Sequence, residues 1–145
     1  MKYLTFSNVC ELFTLNKRTS GKTIELVGDV VDYLLINPNA KNVLIITYNY
    51  PACDAVLSLV SKELKDNKEV ELITHVTKSQ ISFVCQVGSR KTINVIPYEL
   101  TKNHPSILRG QSFDEIYFDL DFSTILKGLD LERLYVMMAA SVLKK

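Results

Sequence analysis

The apolar pattern predicts a three-layer α/β domain with a mainly parallel sheet and one inserted β-hairpin. Three observations predict it. Uninterrupted apolar runs bounded by turn formers, NVLIIT at 42–47 and IYFD at 116–119, are what strands covered on both faces require. The stretches after Thr23 and after Pro51 space their apolar residues at helical intervals. The segment QISFVCQVGSRKTINVIPY, 80–98, holds two β-rich runs around Gly-Ser-Arg, a hairpin signature. Strand and helix thus alternate, as right-handed crossovers demand.

In chain order, VCELFTL at 9–15 predicts a strand running into the polar loop NKRTSGK. Ile24, Val27, Val31, Leu34 and Leu35 then mark a helix that Asn37-Pro38-Asn39 ends. After the strand at 42–47, Pro51 opens a second helix with the stripe Ala52, Ala55, Val56, Leu59, Val60 and Leu64. Lys62, Glu63 and Lys65 fall on its wet side. A short strand is expected around 70–74, the hairpin next, and irregular chain over 99–114. The strand 116–119 ends in acid, a short helix is expected near 123–127 or 130–134, and LYVMMAA at 134–140 predicts a last strand.

Composition bounds the function. With 145 residues, 47% hydrophobic, and 17 basic against 16 acidic side chains, the chain suits one domain spanning 1–145. Such a length hides roughly 68% of its unfolded surface, enough for one core and not for two. The net charge of +1 carries no global signal for nucleic acid or an anionic membrane. Three cysteines at 10, 53 and 85 and lone histidines at 75 and 104 form neither a metal-ligand spacing nor an even disulfide set. A reducing, cytoplasmic location without a membrane span is expected, the host cytoplasm if the source is viral.

Ligands of open parallel sheets bind at the carboxyl ends of strands, which directs attention to 16–23, 47–50, 119–121 and 139–141. NKRTSGKT has the Gly-Lys-Thr end of a phosphate-binding loop between a predicted strand and a predicted helix. In that role the backbone N–H groups around Thr19, Ser20 and Gly21 cradle phosphate oxygens, Lys22 reaches the β- and γ-phosphates, and the Thr23 hydroxyl ligates Mg²⁺. Gly-Lys followed by Ser or Thr arises by chance in roughly one chain in fifteen of this length, and a Gly-marked loop with a solvated Lys leaves the same tripeptide. The second signal is Asp119, ending a buried strand about a hundred residues later, where a carboxylate that positions Mg²⁺ belongs. Its alternative role is a helix N-cap, which Asp121 or Ser123 can fill equally well.

As an ordered set, these motifs resemble the ATPase domain of viral large terminase subunits, DNA-packaging motors related to superfamily 2 helicases. Arg18-Thr19-Ser20-Gly21-Lys22-Thr23 is similar to that family's deviant loop, in which an Arg stands ahead of the Gly-Lys-Thr. LIITYNYPACDAV, the hairpin ISFVCQVGSRKTI, Arg109-Gly110, FDEIYFDLDF and MMAAS at 137–141 follow in the family's order. The resemblance implies a P-loop NTPase sheet of RecA-like type, ATP and Mg²⁺ as ligands, and hydrolysis to ADP and phosphate. It implies Arg18 and Lys22 as catalytic groups, residues 19–23 around the nucleotide, and Thr23 with Asp119 at the metal. Double-stranded DNA and other packaging-motor or helicase subunits are the partners it implies; apart from the resemblance, Arg90, Lys91, Lys102, His104 and Arg109 can form a basic edge toward DNA, and a scatter of surface charge explains them as well.

Two departures qualify the expectation. The family follows its acidic Asp with a Glu that acts on the attacking water, and here Leu120 stands there, leaving Asp121 for the task. The chain also ends soon after the coupling motif, so the nuclease is expected elsewhere. The alternative function is a non-catalytic module that keeps the sheet and binds a protein or DNA partner.

Overall fold

The computed structural model describes residues 22–103 and 113–119. Its elements are α1 (Lys22–Ile36), β1 (Asn42–Thr47), α2 (Tyr50–Asp66), β2 (Val70–Val76), β3 (Gln80–Cys85), β4 (Arg90–Pro97), α3 (Tyr98–Asn103) and β5 (Glu115–Asp119). The strands form one sheet in the order β2-β3-β4-β1-β5. β1 runs parallel to β4 and to β5, whereas β2/β3 and β3/β4 are antiparallel.

The sheet is therefore mixed, which corrects the expected mainly parallel, RecA-like three-layer arrangement. The cause lies in loop length. A parallel return needs a crossover of about a dozen residues or more, but only residues 77–79 separate β2 from β3 and only residues 86–89 separate β3 from β4. Both links can make nothing but antiparallel neighbours. In the second, Gly88 adopts φ 89° and its N–H donates to the Cys85 carbonyl at 2.8 Å, a left-handed turn that glycine takes at no steric cost.

Among the described residues both long helices cover one face of this sheet. Val27, Val30, Val31 and Leu34 of α1 and Val56, Val60 and Leu64 of α2 share a core with Val43, Ile45, Ile81, Phe83, Ile93 and Val95. Leu44 and Ile46, which alternate onto the other face of β1, are buried as well. The helical spacings read from the sequence hold, with two exceptions: Ile24 is 61% exposed and Ala55 is exposed. A third difference is α3, six residues where irregular chain was expected. It is too short and too polar beyond Leu100 to leave an apolar period.

Local chemistry sets the ends. Asn49 caps α2, its side chain accepting from the Ala52 N–H at 2.9 Å, with Pro51 in the first turn. Past the end of α1, the carbonyls of Asn37 and Ala40 accept from the Nζ of Lys91, which reaches them from β4 and is buried at 2% exposure. That ammonium satisfies acceptors that the closing turn leaves without helical partners. Asp114 secures the entry to β5: its Oδ2 accepts from the Lys41 N–H at 2.7 Å and the Asn42 N–H at 2.9 Å, while its own N–H donates to the Asn42 carbonyl at 2.8 Å. The register of β5 on β1 follows, with Thr47 beside Asp119.

Candidate functional site

Because β4, β1 and β5 run parallel, their carboxyl ends Pro97, Thr47 and Asp119 lie at one edge of the sheet. The first turn of α1 stands at the same edge. Thr23, its second residue, donates its hydroxyl to both carboxylate oxygens of Asp119, at 3.2 Å each, across 96 positions of sequence. Asp119 is 2% exposed. A buried carboxylate must be hydrogen-bonded, and Thr23 is part of what satisfies it.

The arrangement brings together the two residues the sequence assigned to a metal. It joins a hydroxyl oxygen, a carboxylate and a helix start, whose N–H groups and dipole favour anions. Hard oxygens in this small number suit Mg²⁺, which keeps several waters and takes one or two protein ligands beside phosphate. No cluster of three or more His, Cys, Asp or Glu occurs among the described residues, so a metal held wholly by such side chains has no place there. Lys22 is the first residue of α1. Arg18, Thr19, Ser20, Gly21 and Asp121 lie outside the described residues.

Thr47 knits the edge. Buried fully, its Oγ1 lies 2.9 Å from the Cys53 Sγ and donates toward the Asn49 carbonyl at 3.3 Å and the Ile96 carbonyl at 3.4 Å. It thereby ties the end of β1 to the start of α2 and to β4. Burial pushes the Cys53 thiol up, and the nearby carboxylates of Asp54 and Glu99 add to the shift against the Thr47 hydrogen bond. Such a thiol is a packing group rather than a nucleophile. Cys85 is likewise buried with its thiol pushed up by burial, as expected for cysteines that pack as small apolar residues. A cavity of about 270 Å³ adjoins this side of the edge, floored by Cys53, Val95 and Ile96 and rimmed by Tyr50, Asp54 and Lys78.

The basic edge is not assembled as expected. Lys91 points into the protein and is spent on the carbonyls of Asn37 and Ala40, while Arg90 alternates to the other face of β4 and is exposed. Both sit at the amino end of β4, remote from the Thr23–Asp119 edge. The side chain of Lys102, and His104 and Arg109 entirely, lie outside the described residues. His75 is exposed on β2 and has no part in the site. No helix among the described residues is long and apolar enough to cross a membrane. The chain matches no protein-family model, no curated protein and no solved structure.

Proposed function

We propose that this chain binds ATP with Mg²⁺ at the edge where α1 begins and β5 ends. The observation that carries the reading is the hydrogen bonding of Thr23 to the buried Asp119. In this reading Thr23 and Asp119 would hold the cation, the hydroxyl and the carboxylate offering it oxygen donors. By the motif in the sequence, the loop ending at Gly21 would supply backbone N–H groups to the phosphates, and Lys22 would meet the β- and γ-oxygens as a point charge. Bound magnesium supplies neutralisation of phosphate charge, which a lone lysine cannot match.

Hydrolysis is the second tier of the proposal. Leu120 offers no acceptor to an attacking water, so Asp121 is the carboxylate left to orient it, with Arg18 placed by the resemblance against the γ-phosphate. The packaging role rests on the same resemblance and adds double-stranded DNA and companion motor subunits as partners. The competing reading, a non-catalytic module that binds a protein or DNA partner, is favoured by Leu120. Release of phosphate from ATP, followed with and without double-stranded DNA, separates them. A DNA-stimulated rate lost in Lys22→Ala supports the ATPase; ATP binding without release assigns the chain to the non-hydrolysing class.

A further inference from the structure

The neighbouring parallel strands β1 and β4 send the chain in opposite directions along the sheet. From β1 the chain passes through α2, β2 and β3 to β4 on one side, and from β4 it goes on through α3 to β5 on the other side of β1. A reversal of this kind opens a crevice beyond the carboxyl ends of the two strands, the place where open α/β sheets hold small ligands. The cavity of about 270 Å³ lies there: Val95, Ile96 and Pro97 from the end of β4 meet Cys53 from the start of α2 and Leu100 from α3. It is a different place from the Thr23–Asp119 pair, whose carboxylate ends β5 beyond β1.

The walls of the cavity are held in place by hydrogen bonds of the fold. In the turn 77–79 the Thr77 N–H donates to the Gln80 carbonyl at 2.8 Å and the Ser79 N–H to the Thr77 Oγ1 at 3.2 Å, while the Ser79 carbonyl accepts from the Val95 N–H at 2.8 Å and so pins the turn to β4. The lining divides by chemistry. Cys53, Val95, Ile96 and Pro97 are buried and make an apolar floor. Asp54 on α2 and Lys78 on the turn, both exposed, bring opposite charges to the rim from different elements, and no ion pair joins them among the described residues. An apolar floor under a few polar groups is the usual make-up of a small-molecule site. One negative and one positive group at the same mouth select a ligand that carries both signs: an anion alone meets Asp54, a cation alone meets Lys78, and a neutral apolar molecule leaves both unanswered. A free α-amino acid with an apolar side chain answers all three parts, its ammonium toward Asp54, its carboxylate toward Lys78 and its side chain on the floor. Volume agrees, since about 150 Å³ is enough for a benzene ring and the larger cavity leaves room for the charged head beside it.

We infer that this cavity binds a free apolar α-amino acid as its zwitterion. The inference does not depend on nucleotide binding. It is tested by titrating the isotope-labelled full chain with L-phenylalanine, N-acetyl-L-phenylalanine and L-phenylalaninamide, each to about 20 mM, and following backbone amide shifts, a range that reveals a Kd of about 1 mM. L-Phenylalanine should shift the amides of Cys53, Asp54, Lys78, Ser79 and Leu100 and bind more tightly than either derivative by about twofold to fivefold, the ordinary weight of one solvent-exposed charge pair. Asp54→Ala and Lys78→Ala replace exposed side chains, and the dispersion of each variant's spectrum verifies its fold. Asp54→Ala should weaken L-phenylalanine and L-phenylalaninamide but not N-acetyl-L-phenylalanine, which has no ammonium. Lys78→Ala should weaken L-phenylalanine and N-acetyl-L-phenylalanine but not L-phenylalaninamide, which has no carboxylate. Absence of shifts at the cavity with all three compounds, equal affinity for the three, or L-phenylalanine binding untouched by both substitutions overturns the inference.

Discussion

β1 and β2 are aliphatic strands of six and seven residues, yet β1 is buried from Val43 to Thr47 while β2 has no buried residue. The difference is position. β1 has a parallel neighbour on each side, β4 and β5, so every apolar side chain on either face is covered. β2 is hydrogen-bonded to β3 alone among the described residues and reaches the core only through Val70 and Ile73. Apolar content makes a strand, and its place in the sheet decides what the strand does. The parallel half aligns three carboxyl ends and there brings Thr23 to Asp119. The antiparallel half ends among the described residues in β2, whose Leu72 and Val76 are each 59% exposed.

That contrast has measurable consequences. Ile45→Ala, at the centre of the parallel half, should cost about 2–5 kcal/mol of stability in urea unfolding, the range for deleting a buried aliphatic side chain. Leu72→Ala on β2, at a side chain 59% exposed, should stay within about 0.5 kcal/mol of wild type. Equal losses at the two positions would erase the distinction between the halves. Lys91→Met follows in size. It removes the ammonium that ties β4 to the turn after α1, leaves the Asn37 and Ala40 carbonyls without that donor, and should cost about 1–3 kcal/mol. A neutral result would mean that water replaces the amine.

Alkaline pH should produce the smallest change. Burial raises Cys53, Cys85, Tyr33 and Tyr117, so each resists losing its proton in the folded state. The sign is the same for all four: the unfolded chain releases protons first, and stability falls as pH climbs past the ordinary thiol value of 9.0 and then past 10.0 for the phenols. Urea midpoints at pH 7, 9 and 10.5 check this, and a midpoint that rises with pH contradicts it.

Much of this was legible in the sequence, for reasons that can be stated. The strands 42–47 and 116–119 and the helices after Thr23 and Pro51 were readable because burial on both faces or on one stripe leaves a local apolar pattern. Thr23 and Asp119 were readable as a pair because Gly-Lys-Thr before a helix and an acid ending a buried strand are two parts of one phosphate-and-metal pattern. The direction of the sheet was misread although residues 77–79 are too few for a crossover, since each strand was judged by its own pattern rather than by its link. The face of β2 was hidden, because two register shifts replace alternation with a spacing of three. Lys91 was placed on a basic surface because charge alone says nothing about carbonyls waiting 51 and 54 residues away.

The central claim, that the Thr23–Asp119 edge is a magnesium-dependent nucleotide site, is tested most directly by calorimetric titration of ATP into the full chain with and without Mg²⁺. The wild type should bind with magnesium and lose most of its affinity when the metal is chelated. Asp119→Asn should weaken the magnesium-dependent binding by about tenfold to a hundredfold while leaving the fold in place. A wild type that takes up no ATP, or one whose binding ignores both magnesium and the Asp119 substitution, contradicts the account.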